Sequence, residues 1–164
     1  MHFTKDSFYL ALRDRLASLN PARVITLNGI TRPAIVVREN EPLTAARPMP
    51  NTFYLDFGEP KAHPRLPAPL LSLECHIAFE AESSTEAATD RGRLLSQLTT
   101  ELLAVCSPQH TRKRDFTQAP SVDLGTNIFW SKPRLDDSEP ASSPSRLRRI
   151  ATVTLFFFPE QELA

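Results

Sequence analysis

The alternation of apolar and polar residues is clearest at 71–82, where nearly every second side chain is apolar. A period of two places successive side chains on opposite faces, so this pattern predicts a long strand with one buried face. Shorter alternating runs predict further strands at 52–57, 125–130 and 150–158. Residues 109–118 carry fewer apolar positions and are interpreted as an edge strand.

A first helix is predicted near the N-terminus from apolar residues that recur every three or four positions. Its buried face consists of Phe8, Leu12, Leu16 and Leu19. Thr4 is the predicted N-cap, and Phe3 and Phe8 flank that cap as a hydrophobic staple. The helix is expected to end at Asn20-Pro21.

A second helix is predicted to begin at a capping box, in which Ser83 is the N-cap and Glu86 lies three residues later. It runs to about Val105, and Ser107-Pro108 stops it. Its inner stripe consists of Ala87, Ala88, Arg91, Leu94, Leu95, Leu98, Leu102 and Val105. The length of this stripe makes it the principal helix expected on the sheet.

A β-hairpin is predicted where Asn28-Gly29 separates two runs rich in β-branched residues, 24–27 and 30–38. Both turn residues tolerate the positive φ angles of a type I′ turn, which makes this dipeptide a strong hairpin signal. Pro33 lacks a backbone N–H, so it is expected at an edge or at a position that does not donate to the ladder.

Long connections separate these elements, and residues 41–50, 59–70 and 133–147 are predicted as extended loops. The chain has 15 prolines and 4 glycines, against an average of about 8 and about 11 for this length. The prolines stiffen the loops, which we interpret as arms held out for neighbouring molecules. The expected fold of residues 1–164 is a single α+β domain, a mostly antiparallel sheet with two main helices packed on one face.

Charge and composition narrow the function classes. Nineteen basic residues balance nineteen acidic ones, so electrostatic binding of nucleic acid or of a membrane is not expected to be the main task. The scarcity of glycine leaves little material for a phosphate-binding loop. No run approaches the roughly 20 apolar residues that span a bilayer, and the first residues lack a signal-peptide pattern. We expect a soluble, unsecreted protein in which Cys75 and Cys106 are free thiols.

Candidate catalytic or metal-binding side chains are few, and they are scattered along the sequence. Cys75 and His76 are adjacent, but neighbours in a strand point to opposite faces and cannot form a nucleophile–base pair. Cys75 is interpreted as a core residue and His76 as a surface or interface residue. The histidines lack the spacing of a metal site, and Asp136-Asp137 falls in a polar loop where solvation is expected. We therefore expect no catalytic residue, no metal ion and no cofactor.

Two features favour contacts with other proteins. Arginine outnumbers lysine by 15 to 4, and arginine is enriched at protein interfaces. The clusters Arg112-Lys113-Arg114 and Arg146, Arg148, Arg149 are interpreted as salt-bridged surfaces or subunit contacts, not as a site for sequence-specific nucleic acid. Phe156-Phe157-Phe158 needs apolar cover on both faces of its strand. That cover is either a helix and a loop of the same chain or a neighbouring subunit, and both interpretations stay open.

This order of elements resembles that of the tail terminator or tail-completion proteins of long-tailed bacteriophages and their prophage-derived relatives. The resemblance lies in the N-terminal helix followed by the Asn28-Gly29 hairpin, and in the strand at 71–81 that leads into the capped helix. It continues in two stretches, EAATDRGRLL at 86–95 and LGTNIFW at 124–130. It covers most of the chain and brings no catalytic motif.

The resemblance implies a structural protein, not an enzyme, that forms a ring, commonly a hexamer. Such a ring caps the tail tube, ends its polymerisation and joins the tail to the head or neck. The implied partners are further copies of the chain, the tail tube protein and the head-tail connector, in the virion tail or in the host cytoplasm during assembly. No residue is carried over from a family motif. Contacts with a neighbouring subunit or with the tube are assigned to Arg47, Arg65, His76, Arg112, Arg114, Arg148, Phe156 and Phe158.

Two alternatives stay open. One is a head-tail connector or other neck protein of the same assembly, which only its binding partner distinguishes from a tail terminator. The other is a small α+β ligand-binding domain or enzyme. That reading predicts a monomer or dimer with a deep pocket that gathers polar groups such as His76, Asp123 and Asn127.

Overall fold

The computed structural model describes residues 1–40, 48–62, 70–83, 88–136 and 141–159. The elements in these ranges are, in chain order, α1 (His2–Leu19), β1 (Val24–Leu27), β2 (Ile30–Pro33), β3 (Ile35–Val37), β4 (Phe53–Phe57), β5 (Lys61–Ala62), β6 (Leu71–Glu82), α2 (Ala88–Val105), β7 (His110–Asp115), β8 (Val122–Trp130), β9 (Arg134–Leu135) and β10 (Arg146–Phe157). Outside the described residues lie 41–47 of the loop predicted at 41–50 and 63–69 of the loop predicted at 59–70, with Arg47 and Arg65. The capping-box prediction also lies outside them, because it depends on Glu86. Within the second loop, Lys61–Ala62 is strand β5, so the loop prediction is wrong there.

Eight strands of the described chain form one sheet in the order β3-β4-β6-β10-β8-β7, with β5 paired to β6 and β9 paired to β10. β3 and β4 pair in parallel, and the other pairs are antiparallel. The central strands β6 and β10 pair from Arg146 opposite Glu82 to Phe157 opposite Leu71. The predicted α+β fold, with a mostly antiparallel sheet and two helices, is confirmed.

The hydrophobic core lies between the two helices and one face of this sheet, here called the inner face. The helices contribute Phe8, Leu12, Leu16, Leu95, Leu98, Leu102 and Val105. β6 contributes the alternate residues Leu73, Cys75, Ile77, Phe79 and Ala81. Each Å² of apolar surface buried here contributes roughly 25 cal/mol, so the alternation in β6 fixes which face the helices cover. Cys75 is a core residue, as predicted.

The first helix begins earlier than predicted. Its N-cap is Met1, and Thr4 lies inside the helix, fully buried, with an Oγ1 atom that has no hydrogen-bond partner among the described residues. The predicted N-cap at Thr4 is therefore wrong. The hydrophobic staple predicted between Phe3 and Phe8 depends on that cap and is wrong too. Thr4 stands one turn before Phe8, so it shares the buried face of the helix. Leu19, predicted on that face, is exposed in the last turn.

The Asn28-Gly29 hairpin is confirmed, with φ angles of 50° at Asn28 and 79° at Gly29 between β1 and β2. The second strand of the hairpin, predicted at 30–38, is shorter than predicted. It ends at Pro33, and the chain then continues into β3. The carbonyl of Ala34 accepts a hydrogen bond from the N–H of Phe53, the first residue of β4. This change of partner carries the chain from the hairpin into the main sheet.

Part of the polar loop predicted at 133–147 is strand. In β9, Arg134 pairs with Thr152 and Leu135 pairs with Ala151. β10 begins at Arg146, four residues before the predicted start. Its first residues are mostly charged, so the apolar pattern that predicts the strand begins only later.

Side chains of α1 close part of the free edge of β7, the last strand in the sheet order. The Ser7 hydroxyl accepts from the N–H of Arg114 at 2.9 Å and donates to its carbonyl at 3.4 Å. At the other end of the strand, Arg15 Nη2 donates to the carbonyl of His110 at 3.1 Å. β7 is thus an edge strand, as predicted, but α1 occupies backbone groups that would otherwise be open to another strand.

Candidate functional site

The candidate functional site lies on the opposite face of the sheet, here called the outer face, which carries the even-numbered residues of β6 and β10. Among the described residues both helices pack on the inner face, so other segments cover the outer one. At its β3 end the β1–β2 hairpin packs Ile25 against Val36 and Tyr54, and Met49 joins them. The rest of this face holds three features: an ion cluster, a cleft and a row of aromatic rings.

The ion cluster consists of Glu80, Glu82, Ser142 and Arg146, and it joins β6 to β10. Glu80 is only 3% exposed. Its carboxylate accepts from the N–H and hydroxyl of Ser142 at 2.9 and 2.6 Å, and from Arg146 Nη1 at 3.3 Å. Arg146 also donates to Glu82 at 3.1 Å and to the carbonyl of Pro48 at 2.6 Å. The cluster thereby holds the segments around Pro48 and Ser142 against the outer face.

Hydrogen bonds decide the charge state of this cluster. Burial raises the pKa of Glu80, but the bonds from Ser142 and Arg146 outweigh it, and the pKa lies below its ordinary value of 4.5. The pKa of Arg146 is raised, chiefly by its hydrogen bond to Glu82. Glu80 and Arg146 are therefore charged at neutral pH, and we interpret them as a structural ion pair and not as an acid–base site.

Beside the ion cluster lies a cleft of about 430 Å³, here called the His76 cleft. It is lined by Arg38, Asp56, His76, Ala78, Asp136, Arg148 and Ile150. Strand pairing brings these groups together, since His76 lies opposite Asp56 on β4 and opposite Thr152 on β10. The cleft thus combines two guanidinium groups, two carboxylates and an imidazole. Of the predicted contact residues, His76 and Arg148 meet here.

A chain of hydrogen bonds orients the imidazole of His76. The Thr152 hydroxyl donates to Asp136 Oδ2 at 2.7 Å, and His76 Nδ1 lies 3.1 Å from the same hydroxyl oxygen. Because the hydroxyl proton is committed to Asp136, the hydrogen-bond pattern assigns the proton of this contact to His76 Nδ1. In the neutral imidazole Nε2 is then left as an acceptor. The sequence pattern does not single out Thr152, and it predicts a solvated loop position for Asp136, because only the β10 register brings both residues to His76.

Three rings form a row across the outer face, here called the aromatic row. Phe156 of β10 lies opposite Phe129 of β8, and Phe129 lies opposite His110 of β7. The ring centroids of His110 and Phe129 are 6.2 Å apart. Phe129 is 47% exposed, and Phe156 is half-buried. Phe129 is not among the predicted contact residues, although the alternation that buries Trp130 places Phe129 on the opposite face.

The run Phe156-Phe157-Phe158 has complete cover on one face only. Phe157 belongs to the core beneath the helices. Phe156 is half-buried on the outer face, and Phe158 is exposed just after β10. Cover by the same chain therefore accounts for the inner face, and burial of the outer face against a neighbouring subunit stays a prediction.

The basic cluster on β7 is not one continuous surface. Arg112 and Arg114 are exposed, and Arg112 Nε lies 3.7 Å from the carboxylate of Asp123. Lys113 points to the inner face, is 2% exposed, and donates from Nζ to the carbonyl of Phe158 at 2.9 Å. Alternation along the strand therefore divides the three cations between two faces.

The polar groups predicted for an enzyme or ligand pocket do not all meet in one cavity. His76 lines its cleft, whereas Asp123 and Asn127 lie on β8, where Asn127 is opposite Arg112. A second groove, of about 470 Å³, is lined by Leu19, Asn20, Ser96, Gln97, Thr100, Glu101 and Ala104 at the end of α1 and along α2. Glu101 is already paired there with Arg23 at 3.1 Å.

Outside the outer face, the described residues offer few candidates for a metal site or a nucleophile. Within the described ranges, no group of three His, Cys, Asp or Glu residues is placed to hold a metal ion. Cys75 and Cys106 are free thiols, as predicted, and both are buried. Burial raises the pKa of the Cys106 thiol to about 12 and that of Cys75 well above its ordinary value, so neither is a thiolate nucleophile at neutral pH. Neither described helix is long and apolar enough to cross a membrane.

No model of a known protein family matches this chain, and no curated protein matches it. A function for it is therefore argued from the outer face and from the order of its elements.

Proposed function

We propose that this chain is a subunit of a ring that caps the tail tube of a phage or phage-like particle, ends tube polymerisation and joins the tail to the head or neck. The observation that carries this proposal is the difference between the two faces of the sheet. Both helices close the inner face, whereas the outer face presents the aromatic row and the His76 cleft. A structural subunit needs such a second face to meet its neighbours.

The composition of the outer face supports a protein as its partner. Protein interfaces are enriched in aromatic residues and arginine. Phe129 supplies an exposed aromatic ring, and Arg148 lines the cleft. The charges in the cleft are of both signs, which suits a protein better than it suits a phosphate backbone.

The order of the helices and strands supports a phage-tail assembly as the ring in question. α1 is followed by the Asn28-Gly29 hairpin, and β6 is followed by α2. These are the features in which the chain resembles tail terminator proteins. A head-tail connector of the same assembly would present the same elements, and the two differ in whether the chain binds the tube end or the neck.

Native mass spectrometry of the purified chain tests the ring, and we expect several copies per particle, commonly six. The tail tube protein from the same genome tests the cap, because adding the chain during tube polymerisation should produce tubes that stop growing. Electron microscopy should show the ring at one end of each tube. A clean monomer at high concentration, or tubes that keep elongating, would contradict the proposal.

A second candidate function, ligand binding by a small α+β domain, is favoured by the hydrogen-bond chain in the His76 cleft. An imidazole held in one tautomer is typical of a site that recognises a specific group. Titration of the monomeric chain with a panel of small polar molecules tests this candidate, with the His76 ring resonances as the signal. Unchanged resonances at millimolar concentrations of every compound would remove it.

A further inference from the structure

Two acceptors lie side by side in the His76 cleft. In the neutral imidazole of His76, Nδ1 donates to Thr152 and Nε2 is left to accept a hydrogen bond. Asp56 lies opposite His76 in the β4–β6 pairing and is exposed. Within the described residues its carboxylate makes no hydrogen bond or ion pair. Two adjacent acceptors, one of them charged, favour a cationic donor as the group that occupies the cleft.

Arg38 and Arg148 also line the cleft, yet the Asp56 carboxylate forms no ion pair within the described residues. An arginine on a partner molecule would bring the missing cation, since its guanidinium carries five N–H donors.

The chain itself carries such an arginine. Arg114 is exposed on β7, and Ser7 holds its backbone N–H and carbonyl in place. Its guanidinium makes no hydrogen bond or ion pair within the part of the chain that is described. Arg112, two residues earlier, differs because its side chain lies near Asp123. Arg114 therefore presents an unpaired guanidinium on a fixed strand.

Arg114 does not reach the cleft of its own chain. The sheet order places β8, β10 and β6 between β7, which carries Arg114, and β4, which carries Asp56. Neighbouring strands lie about 4.8 Å apart, so these two strands are separated by about 19 Å. That distance exceeds the reach of an arginine side chain. An Arg114 that enters the cleft must belong to another molecule.

We infer that the His76 cleft receives Arg114 from a second copy of this chain, with the guanidinium paired to the Asp56 carboxylate. This inference rests on the proposed ring and supplies its subunit contact. In that ring each copy offers its cleft to one neighbour and its Arg114 to the other, so the contact is head-to-tail. Head-to-tail contacts close into a ring when the rotation between neighbours permits closure.

Charge reversal on both sides tests the contact. Asp56→Arg and Arg114→Asp should each weaken self-association at least tenfold in analytical ultracentrifugation, because like charges then face each other. Thermal unfolding should be unchanged, since both side chains are exposed. A 1:1 mixture of the two variants should assemble again, because each variant then finds an opposite charge on both of its neighbours.

Matched controls reverse exposed charges elsewhere. Glu59→Arg, between β4 and β5, and Arg93→Asp, on α2, should associate like the unchanged chain. If the unchanged chain forms a ring that neither Asp56→Arg nor Arg114→Asp weakens, the contact is overturned and the ring stands. If both variants weaken association but their mixture stays apart, the contact is also overturned. A chain that is monomeric at every concentration overturns the ring and the contact together.

Discussion

At the scale of single residues, the cover supplied by distant segments decides what a polar side chain does. His76 and Glu80 lie on the same face of β6, and the alternation predicts that both meet water or a partner. His76 does so and is exposed in its cleft. Glu80 is instead buried beneath Ser142 and against Arg146. The segments that cover it are far away in sequence, and alternation within one strand contains no information about them.

Glu80→Gln should lower the free energy of unfolding by about 3 kcal/mol, because removing one partner of a buried ion pair leaves the other poorly compensated. Urea unfolding followed by circular dichroism measures the loss. The matched control is Glu74→Gln on the same strand face. The Glu74 carboxylate lies 3.8 Å from Lys61 Nζ at the surface. Glu74→Gln should therefore lower the free energy of unfolding by less than about 0.5 kcal/mol. Equal losses for the two variants would contradict a stabilising role for the ion cluster.

The contribution of Glu80 should also depend on pH. The pKa of Glu80 is lower in the folded chain than its ordinary value of 4.5, so the unfolded chain binds more protons in acid. The stabilisation is therefore fully present above pH 4.5 and is lost as pH falls through the lower pKa of the folded state. The difference in unfolding free energy between the unchanged chain and Glu80→Gln should narrow on acidification. A difference that stays constant throughout the acid range would be the contrary result.

At the scale of elements, local signals predict the long strand and the hairpin, whereas the short strands depend on distant partners. β6 follows from its own alternation, and the turn follows from Asn28-Gly29. β3 and β9 have three and two residues, and each is a strand because β4 or β10 offers backbone groups to it. The same limit applies to the His76 cleft. The outward direction of His76 is predictable, but Thr152 and Asp136 reach it only through the register of β10 and the position of β9.

Two glycines separate the effect of backbone conformation from that of packing. Gly29 has a φ of 79°, and an added Cβ would meet no atom within 4 Å. Gly29→Ala should therefore destabilise by about 1–2 kcal/mol through the left-handed conformation alone. Gly92 lies in α2 with equally open space, and Gly92→Ala should stabilise by about 0.5–1 kcal/mol. Thermal unfolding measures both, and shifts of the same sign would contradict this account.

At the scale of the whole molecule, the two faces of the sheet have different chemistry. The inner face is filled by apolar side chains, so little of it is left for partners. The outer face mixes aromatic rings with charges of both signs, and the chain as a whole is balanced at 19 basic and 19 acidic residues. Because the chain has no net charge, two copies attract each other only where individual positive and negative groups face one another. The positions of these groups on the outer face should therefore determine how neighbouring copies are oriented.

Phe129→Ser should weaken self-association at least tenfold, because aromatic anchors supply much of the binding energy of an interface. Its ring is about half exposed, so the free energy of unfolding should change by less than about 1 kcal/mol. Size-exclusion chromatography with light scattering measures the association. Ile30→Ser is the matched control, since Ile30 is an exposed apolar residue on the β1–β2 hairpin. An equal loss from Ile30→Ser would mean that general surface hydrophobicity, and not the outer face, drives association.

The bonds that Ser7 and Arg15 make to β7 constrain how copies of the chain can join. A free strand edge is a template, and molecules that add to one another edge to edge build a sheet with no natural limit. With the backbone groups of Arg114 and His110 occupied, β7 is a poor template for such growth. Contacts between copies at this edge then depend on side chains, and side-chain contacts can fix one angle between neighbours. That property suits the cap proposed above, which would stop the growth of a tube without extending a sheet from this edge.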